Sequence, residues 1–477
     1  MPLKTTSSIQ NFYSRIATLF VVLAVAIVAL VAVGIHAPPR IIDLNITQKV
    51  NPSQQRQLLI NFNHPMDRRS VETNFSLDPA MKGTFSWSGR TLAFTPEEIL
   101  PYGKDFHLKI NKEAFDENSV PLAQDFNFQF TTNPLQFAYI GVEGEETGRL
   151  VVSSIDGSNR QVVTEKKLSI EDFHIAADGK SIYILGSNEL YVYDLQKKHL
   201  TQLTNDKNFL NKAFQLSPDG GKVLVFRVQV NTAGVYLTGV QGWISDLPEV
   251  HLKKLLDGSA LALNSYFSPD GSYLLYRDST FQLLELNKNK VDTSLFLGDF
   301  DLSYGFHPSQ PILLFNKYDY SDVFSMNNFL TLFYGDGHQQ KVDFGQGLSR
   351  DTVFTPDGKS LIAIFSKPEE AFEDRESLYP LRIFHLYLYD IATQKTEQLT
   401  SNFDYSEEGP TVSPDSKHLL FERYETFSKD IVIDPAFRDV TDSLSSILSG
   451  GKVWRMDLAT HDLQELPMKG NKVTFFP

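Results

Sequence analysis

The sequence predicts an all-β protein in which a β-sandwich is followed by a β-propeller, behind an N-terminal transmembrane helix. Three observations lead to this fold class. A Ser-Pro-Asp-Gly type of turn recurs through residues 134–477, seven short apolar runs lie within residues 38–133, and residues 16–35 carry no charge. The aromatic content, 36 Phe and 19 Tyr in 477 residues, also favours strands.

Residues 16–35 are long enough, as a helix of about 30 Å, to cross the hydrocarbon core of a bilayer. Lys4 and Arg15 precede them, and residues 1–15 contain no acidic residue. Because positive residues stay in the cytoplasm, we expect a single-pass anchor in the cytoplasmic membrane with its N-terminus inside. Residues 16–35 would then contact the lipid bilayer, and the later domains would lie in a periplasm or on the cell surface.

A cleaved signal peptide is the alternative interpretation of this segment. The apolar run is longer than the usual core of a signal peptide, and Ile35-His36-Ala37 is a poor cleavage site. We therefore favour an uncleaved anchor.

Residues 38–133 form the next predicted unit. Pro38-Pro39 ends the helix, and short apolar runs then follow at regular spacing. About ninety residues with seven short strands indicate a β-sandwich. The seven runs are 40–47, 57–62, 75–77, 83–87, 91–94, 106–110 and 126–130.

Five motifs in this unit are similar to a known family. They are Asn-Phe-Asn-His-Pro-Met-Asp at 61–67, Phe-Ser-Trp at 85–87, Leu-Ala-Phe-Thr-Pro at 92–96, Leu-Pro-Tyr-Gly at 100–103 and Phe-Gln-Phe-Thr-Thr at 128–132. They resemble the bacterial Ig-like domain of the SbsA type. The resemblance implies a structural or adhesive spacer without catalytic residues.

The recurring turn organises residues 134–477. Its Pro fixes one backbone torsion and its Gly supplies a positive φ, as a tight turn between two strands requires. Four complete copies lie at 217–220, 268–271, 355–358 and 413–416, and two degenerate copies lie at 176–179 and 307–309. A period of about forty residues with a fixed turn is typical of a β-propeller.

The blade count follows from these six turns and from the two ends of the unit. The predicted strands at 137–140, 150–155 and 161–164 form a partial blade without a first strand. The C-terminal residues 472–476 resemble the first strand of a blade. We predict that this tail lies beside 137–140 and closes a ring of seven blades, which removes free sheet edges. Six blades are the alternative if the turn near Ser309 is not a blade turn.

The turns, of the form Ser-Pro-Asp-Gly-x-x-Leu-x-Phe, resemble those of the TolB-like and WD-repeat-like bacterial propellers. This resemblance implies a fold and no particular function.

Loop lengths supply the functional hypothesis. The loops between second and third strands are long at 228–241, 317–327, 367–380 and 426–450, and long loops are often functional. We expect one loop-rich face that binds a protein or an envelope polymer, as a binding or scaffold protein does. The candidate partner-binding residues are Tyr318, Tyr320, Asp322, Glu369, Glu370, Glu373, Asp374, Arg375, Ile431, Ile433 and Phe437.

Other classes of function are disfavoured. A net charge of −14 without a basic face argues against nucleic-acid binding. The absence of cysteine excludes disulfides and thiolate metal sites, and neither a nucleophile elbow nor a His-Glu-x-x-His zinc motif occurs. We therefore expect no enzyme and no cofactor. The alternative is a propeller hydrolase or lyase, acting on a glycan or peptide, whose acids Asp299, Asp301, Glu407 and Glu408 meet at the channel mouth.

Overall fold

The structure is a computed structural model. It describes residues 6–35, 38–166, 168–257, 265–277, 280–288, 290–292, 297–321, 327–372, 381–426 and 451–477. These residues form an all-β protein that separates into two compact units, Met1–Asn133 and Pro134–Pro477.

The N-terminal segment is an α-helix, α1 (Thr6–Ile35), which contains the predicted helix 16–35 and begins ten residues earlier. No helix within the described residues is both long and apolar enough to cross a membrane. The predicted single-pass anchor across 16–35, and the cellular location derived from it, are therefore wrong. The prediction rested on the lack of charged residues in this run, whereas a spanning helix must be apolar over about 30 Å.

The rest of the first unit consists of two four-stranded sheets, with strand orders β1-β3-β6-β5 and β2-β8-β7-β4. The strands are β1 (Ile41–Leu44), β2 (Lys49–Val50), β3 (Leu58–Phe62), β4 (Phe75–Asp78), β5 (Gly83–Ser88), β6 (Thr91–Pro96), β7 (Asp105–Ile110) and β8 (Phe126–Thr132). Their apolar residues form one core, in which Trp87 stacks on Phe62 at 6.1 Å between ring centroids. Asp67 begins the short helix α2 (Arg68–Asn74) by accepting a 2.7 Å hydrogen bond from the Ser70 backbone N–H.

The described part of the second unit contains β9 to β37 and two short 3-10 helices, Gly144–Glu146 and Pro368–Glu370. The strands are β9 (Gln136–Gly141), β10 (Leu150–Ser154), β11 (Gln161–Val162), β12 (Ile170–Ile175), β13 (Ser181–Gly186), β14 (Glu189–Asp194), β15 (His199–Gln202), β16 (Phe209–Leu216), β17 (Lys222–Gln229), β18 (Gln241–Asp246), β19 (Lys253–Asp257), β20 (Tyr266–Phe267), β21 (Tyr273–Arg277), β22 (Phe281–Glu285), β23 (Lys290–Asp292), β24 (Leu302–Phe306), β25 (Ile312–Tyr318), β26 (Asn328–Tyr334), β27 (Gln339–Val342), β28 (Leu348–Phe354), β29 (Ser360–Ser366), β30 (Ala371–Phe372), β31 (Leu381–Arg382), β32 (His385–Asp390), β33 (Lys395–Gln398), β34 (Tyr405–Val412), β35 (His418–Glu425), β36 (Lys452–Asp457) and β37 (Leu463–Phe475).

These strands form five antiparallel four-stranded sheets and one sheet of seven strands. We name each four-stranded sheet after its first strand: the β12, β16, β20, β24 and β28 sheets, the last in the order β28-β29-β32-β33. The seven-stranded sheet has the order β11-β10-β9-β37-β36-β35-β34, and β30 pairs only with β31. No sheet of the described strands closes on itself.

The C-terminal strand β37 joins the two ends of the second unit. Its first half pairs with β36, and its second half pairs with β9, where Phe475 lies opposite Phe137 and Thr474 lies opposite Ala138. The predicted pairing of the C-terminal residues with 137–140 is therefore confirmed. The register of β37 on β9 also shifts between Asn471 and Thr474, as it does within β12, β16, β24, β28 and β34.

The recurring turns position the first two strands of each sheet. At 268–271, the Asp270 carboxylate accepts hydrogen bonds from the Ser268 and Ser272 hydroxyls at 2.6 and 2.7 Å, and Gly271 has a φ of +66°. Ser268 Oγ accepts the Tyr273 backbone N–H at 2.9 Å. These hydrogen bonds lower the pKa of Asp270, so the carboxylate stays charged and fixes the turn.

First strands of the four-stranded sheets also contact one another: β12 contacts β16, β20 contacts β24, and β24 contacts β28. The seven-stranded sheet adds β34, which contacts β28, and β37, which contacts β12 and β34. The core of the second unit therefore lies between neighbouring sheets, for example where β24 and β28 sheets share Leu314, Leu332 and Phe365.

Candidate binding face

The connections between second and third strands differ strongly in length. The β12 sheet has only Ser187-Asn188 between β13 and β14, whereas eleven or more residues separate the corresponding strands of the β16 and β28 sheets. The end of each sheet that carries these connections also carries the start of its first strand. Polar and aromatic side chains from the connections and from the starts of the first strands therefore lie at the same end of each sheet.

In the β24 sheet, this end presents two tyrosines. Tyr318 is partly buried at the end of β25, and its backbone N–H donates to Asp301 Oδ2 at 2.8 Å. Tyr320 is 68% exposed, with its ring centroid 6.3 Å from that of Tyr318. The surrounding protein and a hydrogen bond to Asp301 raise the pKa of Tyr320. The pair therefore presents an exposed aromatic ring with a neutral hydroxyl.

Charged residues surround these rings. Lys317 pairs with Asp299 at 3.2 Å, and Arg277 of the neighbouring β20 sheet donates to the Asp301 backbone carbonyl. Both signs of charge therefore lie around exposed aromatic surface, and aromatic residues and arginine are enriched in protein interfaces.

The β16 sheet contributes a projecting hairpin at this end, residues 229–238. Its two arms are joined by the Leu237 N–H to the Gln229 carbonyl at 2.8 Å. Val235, Tyr236 and Leu237 are each more than half exposed. Sequence reasoning recognised the length of this loop but did not identify these residues. The available signal was the run of three large apolar residues within a predicted loop.

The predicted acidic residues of the β28 sheet occupy two environments. Glu369 is exposed, whereas Glu370 is buried and accepts the Lys367 backbone N–H at 2.7 Å. Burial raises the pKa of Glu370. Its second carboxylate oxygen lies 3.9 Å from His385 Nε2, so Glu370 belongs to the interior and not to the surface.

The remaining predicted contact residues lie outside the described residues, and the structure does not place them. They are Asp322, Glu373, Asp374, Arg375, Ile431, Ile433 and Phe437.

The four acids of the enzymatic alternative each have a different neighbour. Asp299 pairs with Lys317 and Asp301 with the Tyr318 backbone, as described above. Glu408 pairs with Arg350 at 3.3 Å. Glu407 is fully buried and pairs with Arg423 at 2.7 Å. Among the described side chains, no group of three or more His, Cys, Asp or Glu residues has metal-binding geometry.

A second group of polar residues lies on the first strands. Burial raises the pKa of Tyr266 to about 12, and it also raises the pKa of Tyr304. The Asp351 side chain is exposed, and desolvation by the surrounding protein raises its pKa. On β37, Lys472 pairs with Asp172 of β12 at 2.8 Å. Charges therefore face one another across neighbouring first strands.

Comparison with known proteins confirms the first predicted domain. Residues 36–132 match the bacterial Ig-like domain family. No curated protein matches the chain.

The solved structures similar to this chain include TolB, the family that the turns resemble. TolB from Acinetobacter baumannii is 14% identical, with a TM-score of 0.40, and the match covers 85% of this chain and 83% of that chain. A TolB from Agrobacterium tumefaciens is 13% identical, with a TM-score of 0.38, over 72% of this chain and 98% of the other.

An oligogalacturonate lyase from Vibrio parahaemolyticus is 10% identical, with a TM-score of 0.44, over 81% of this chain and 95% of the other. All three TM-scores are below 0.5, so none of these likenesses assigns a partner or an activity to this chain.

Proposed function

We propose that residues 134–477 form a seven-bladed β-propeller that binds a protein or a polymer through the face carrying the long connections, and that the Ig-like domain acts as a spacer. The protein would then be a binding or scaffold protein without catalytic activity.

The contacts between first strands support the ring. They run from β37 through β12 to β16, and from β20 through β24 and β28 to β34, which contacts β37 again. The seven-stranded sheet would supply two blades, with β37 as the fourth strand of the last blade and the first strand of the first. The repeated register shift within the first strands agrees with this equivalence, because β37 carries it as well.

The exposed apolar hairpin tip is the observation that carries the binding hypothesis. Val235, Tyr236 and Leu237 remain exposed on a hairpin with ordered backbone hydrogen bonds. In the ring, this tip and Tyr320 would project from the same face. Exposed aromatic and apolar side chains on a rigid support are typical of interaction surfaces.

Site-specific photo-crosslinking tests the proposal. A benzophenone amino acid is placed at Tyr236, at Tyr320 or, as a matched control, at Lys359, which is exposed beside the Thr355–Gly358 turn at the opposite end of its sheet. We expect the same adduct from positions 236 and 320 and none from 359. Excess wild-type protein should compete for the adduct, whereas a Tyr236→Ser/Tyr320→Ala variant should not.

Equal adducts from all three positions would indicate non-specific contact. That result, or the absence of any adduct from 236 and 320 in the producing cells, would contradict binding through this face.

A further inference from the structure

A buried arginine and carboxylate pair lies in the seven-stranded sheet, near the start of β34. Arg423 on β35 lies opposite Glu407 on β34. Its Nε and Nη2 donate to Glu407 Oε1 at 3.0 and 2.7 Å. The guanidinium also lies over the rings of Trp454 and Tyr405, 4.5 and 5.1 Å from their centroids. The arginine is thus fully oriented by one carboxylate and two aromatic rings.

The β16 sheet repeats this arrangement at the corresponding strand positions. Arg227 on β17 lies opposite Asn211 on β16. Its guanidinium lies 4.3 Å from the centroid of Phe209 and 5.3 Å from that of Trp243. The arginine and its aromatic neighbours are therefore retained, and an amide stands where the other sheet has the carboxylate.

Because Asn211 stands at the position that Glu407 has in the other sheet, the guanidinium of Arg227 lacks the corresponding carboxylate acceptor. Arg227 is only 4% exposed, and within the described part of the chain its Nε and Nη2 have no hydrogen-bond partner. Asn211 turns its amide Nδ2 to the Asn188 carbonyl at 2.9 Å and to Thr204 Oγ1 at 3.0 Å. A buried charged donor without an acceptor is costly, so this group is suited to take one from a ligand.

Two acidic residues, Glu189 and Asp206, lie near Arg227, but neither accepts a hydrogen bond from its Nε or Nη2. Glu189 Oε2 accepts the Thr204 hydroxyl and lies 3.4 Å from Asn211 Nδ2, so this oxygen is directed at other groups. Asp206 Oδ2 lies 3.7 Å from Arg227 Nη2, beyond hydrogen-bond distance, and its side chain is 43% exposed. Asp206 is thus a partly exposed neighbour of the buried guanidinium, and we expect a ligand to reach Arg227 by displacing its side chain.

We propose that Arg227 binds a carboxylate from outside the chain, in the two-point geometry that Glu407 adopts on Arg423. This inference rests on the proposed function, because Arg227 lies two residues before the hairpin 229–238 and a partner at that face would supply the group. The carboxylate belongs either to a side chain or terminus of a protein or to a free organic acid.

The test uses the full chain with sodium acetate as the probe, against sodium chloride at equal ionic strength. We expect acetate to raise the melting temperature of the wild type more than chloride does. Asn211→Glu supplies the missing carboxylate from within the chain. It should raise the melting temperature without acetate and remove the acetate response. Asn211→Gln, the same length without the charge, should do neither.

An equal response of the wild type to acetate and chloride would overturn the proposal. So would an Asp206→Asn variant that is destabilised and gains no acetate response, because Asp206 would then be the internal partner of Arg227. An Asp206→Asn variant that binds acetate more tightly would support the proposal.

The source of the carboxylate follows from a second titration, with the blocked dipeptide N-acetyl-glycyl-glutamate amide. Binding at least tenfold tighter than acetate favours a protein partner, and equal binding favours a free acid. The acetate response needs no macromolecule. An acetate response without photo-adducts at Tyr236 and Tyr320 would contradict only the binding face. Photo-adducts at these two positions without an acetate response would contradict only the carboxylate site.

Discussion

The β16 sheet and the seven-stranded sheet place an arginine in the same setting and give it different chemistry. Arg423 is neutralised by Glu407, whereas Arg227 lies opposite Asn211 and keeps unmet donors. The aromatic neighbours, the strand position and the burial are alike. The residue opposite the arginine, Asn211 on β16 or Glu407 on β34, therefore decides whether the arginine stabilises the fold or is available to a ligand.

A second contrast lies on β35 of the seven-stranded sheet, the strand that carries Arg423. Glu422 precedes Arg423 and faces the other side, towards β37, where it accepts the Tyr424 hydroxyl at 2.6 Å and the Lys472 backbone N–H at 2.9 Å. Its charged neighbours include the acids Glu408 and Asp351. Burial, more than these charges, raises the pKa of Glu422 to about 7. The two buried glutamates of this sheet thus have different partners, and of the two only Glu407 pairs with an arginine.

The largest expected effect comes from removing the partner of Arg423. Glu407→Gln leaves a buried guanidinium without a counter-charge and should lower the free energy of unfolding by about 3 kcal/mol. Urea denaturation measures the change. The exposed Glu369→Gln is the control and should stay within about 0.5 kcal/mol of the wild type. An equally small change in unfolding free energy for Glu407→Gln would contradict the view that Arg423, unlike Arg227, depends on a carboxylate within the chain.

Replacing both partners sharpens this result. A Glu407→Leu/Arg423→Met variant removes the buried charges together and should recover most of the stability lost by Glu407→Gln. A double variant that is less stable than the single variant would show that the pair is needed for more than mutual neutralisation.

A smaller effect is expected for the pH dependence at Glu422. Because its pKa is higher in the folded chain than in the unfolded chain, the folded state binds this proton more tightly. Its contribution to stability should be full below about pH 4.5, decline as pH rises to about 7 and stay constant above. The decline is on the order of 3 kcal/mol.

The measurement is the difference in unfolding free energy between the wild type and Glu422→Gln from pH 4 to pH 8. Because glutamine mimics the protonated acid, the variant should gain stability relative to the wild type as pH rises. A difference that is constant across this range would be incompatible with a raised pKa at Glu422.

The smallest effect on stability is expected at the binding face. Tyr320→Ala removes a ring that is 68% exposed and should change the free energy of unfolding by less than about 0.5 kcal/mol. Thermal and urea unfolding check this expectation. A loss above 2 kcal/mol would assign Tyr320 to the core and remove it from the binding face.

Local signals explain what the sequence predicted well. The turn residues Ser268 to Gly271 carry their own hydrogen bonds and backbone torsions, so the pattern of residues is enough to identify them. The pairing of the C-terminal residues was also predictable, because a missing first strand at one end of the repeats matched a surplus strand at the other.

Other features depend on contacts that a linear pattern does not contain. The pairing of Glu407 with Arg423, and the lack of such a partner for Arg227, depend on strand register and burial. Glu370 looked like part of an acidic loop, but its side chain turns into the interior beside His385. For α1, an uncharged run of residues suggested a membrane anchor, which the described helix does not support.

The proposed closure of residues 134–477 into one ring by β37 can be tested directly, because the sequence contains no cysteine. Ala138 and Thr474 lie opposite each other on β9 and β37. An Ala138→Cys/Thr474→Cys variant should form a disulfide on oxidation. Because the bond would close a very long loop, it should raise the free energy of unfolding by up to about 5 kcal/mol relative to the reduced protein. Failure of the two cysteines to react in the folded protein, or a disulfide that leaves stability unchanged, would contradict the closed ring.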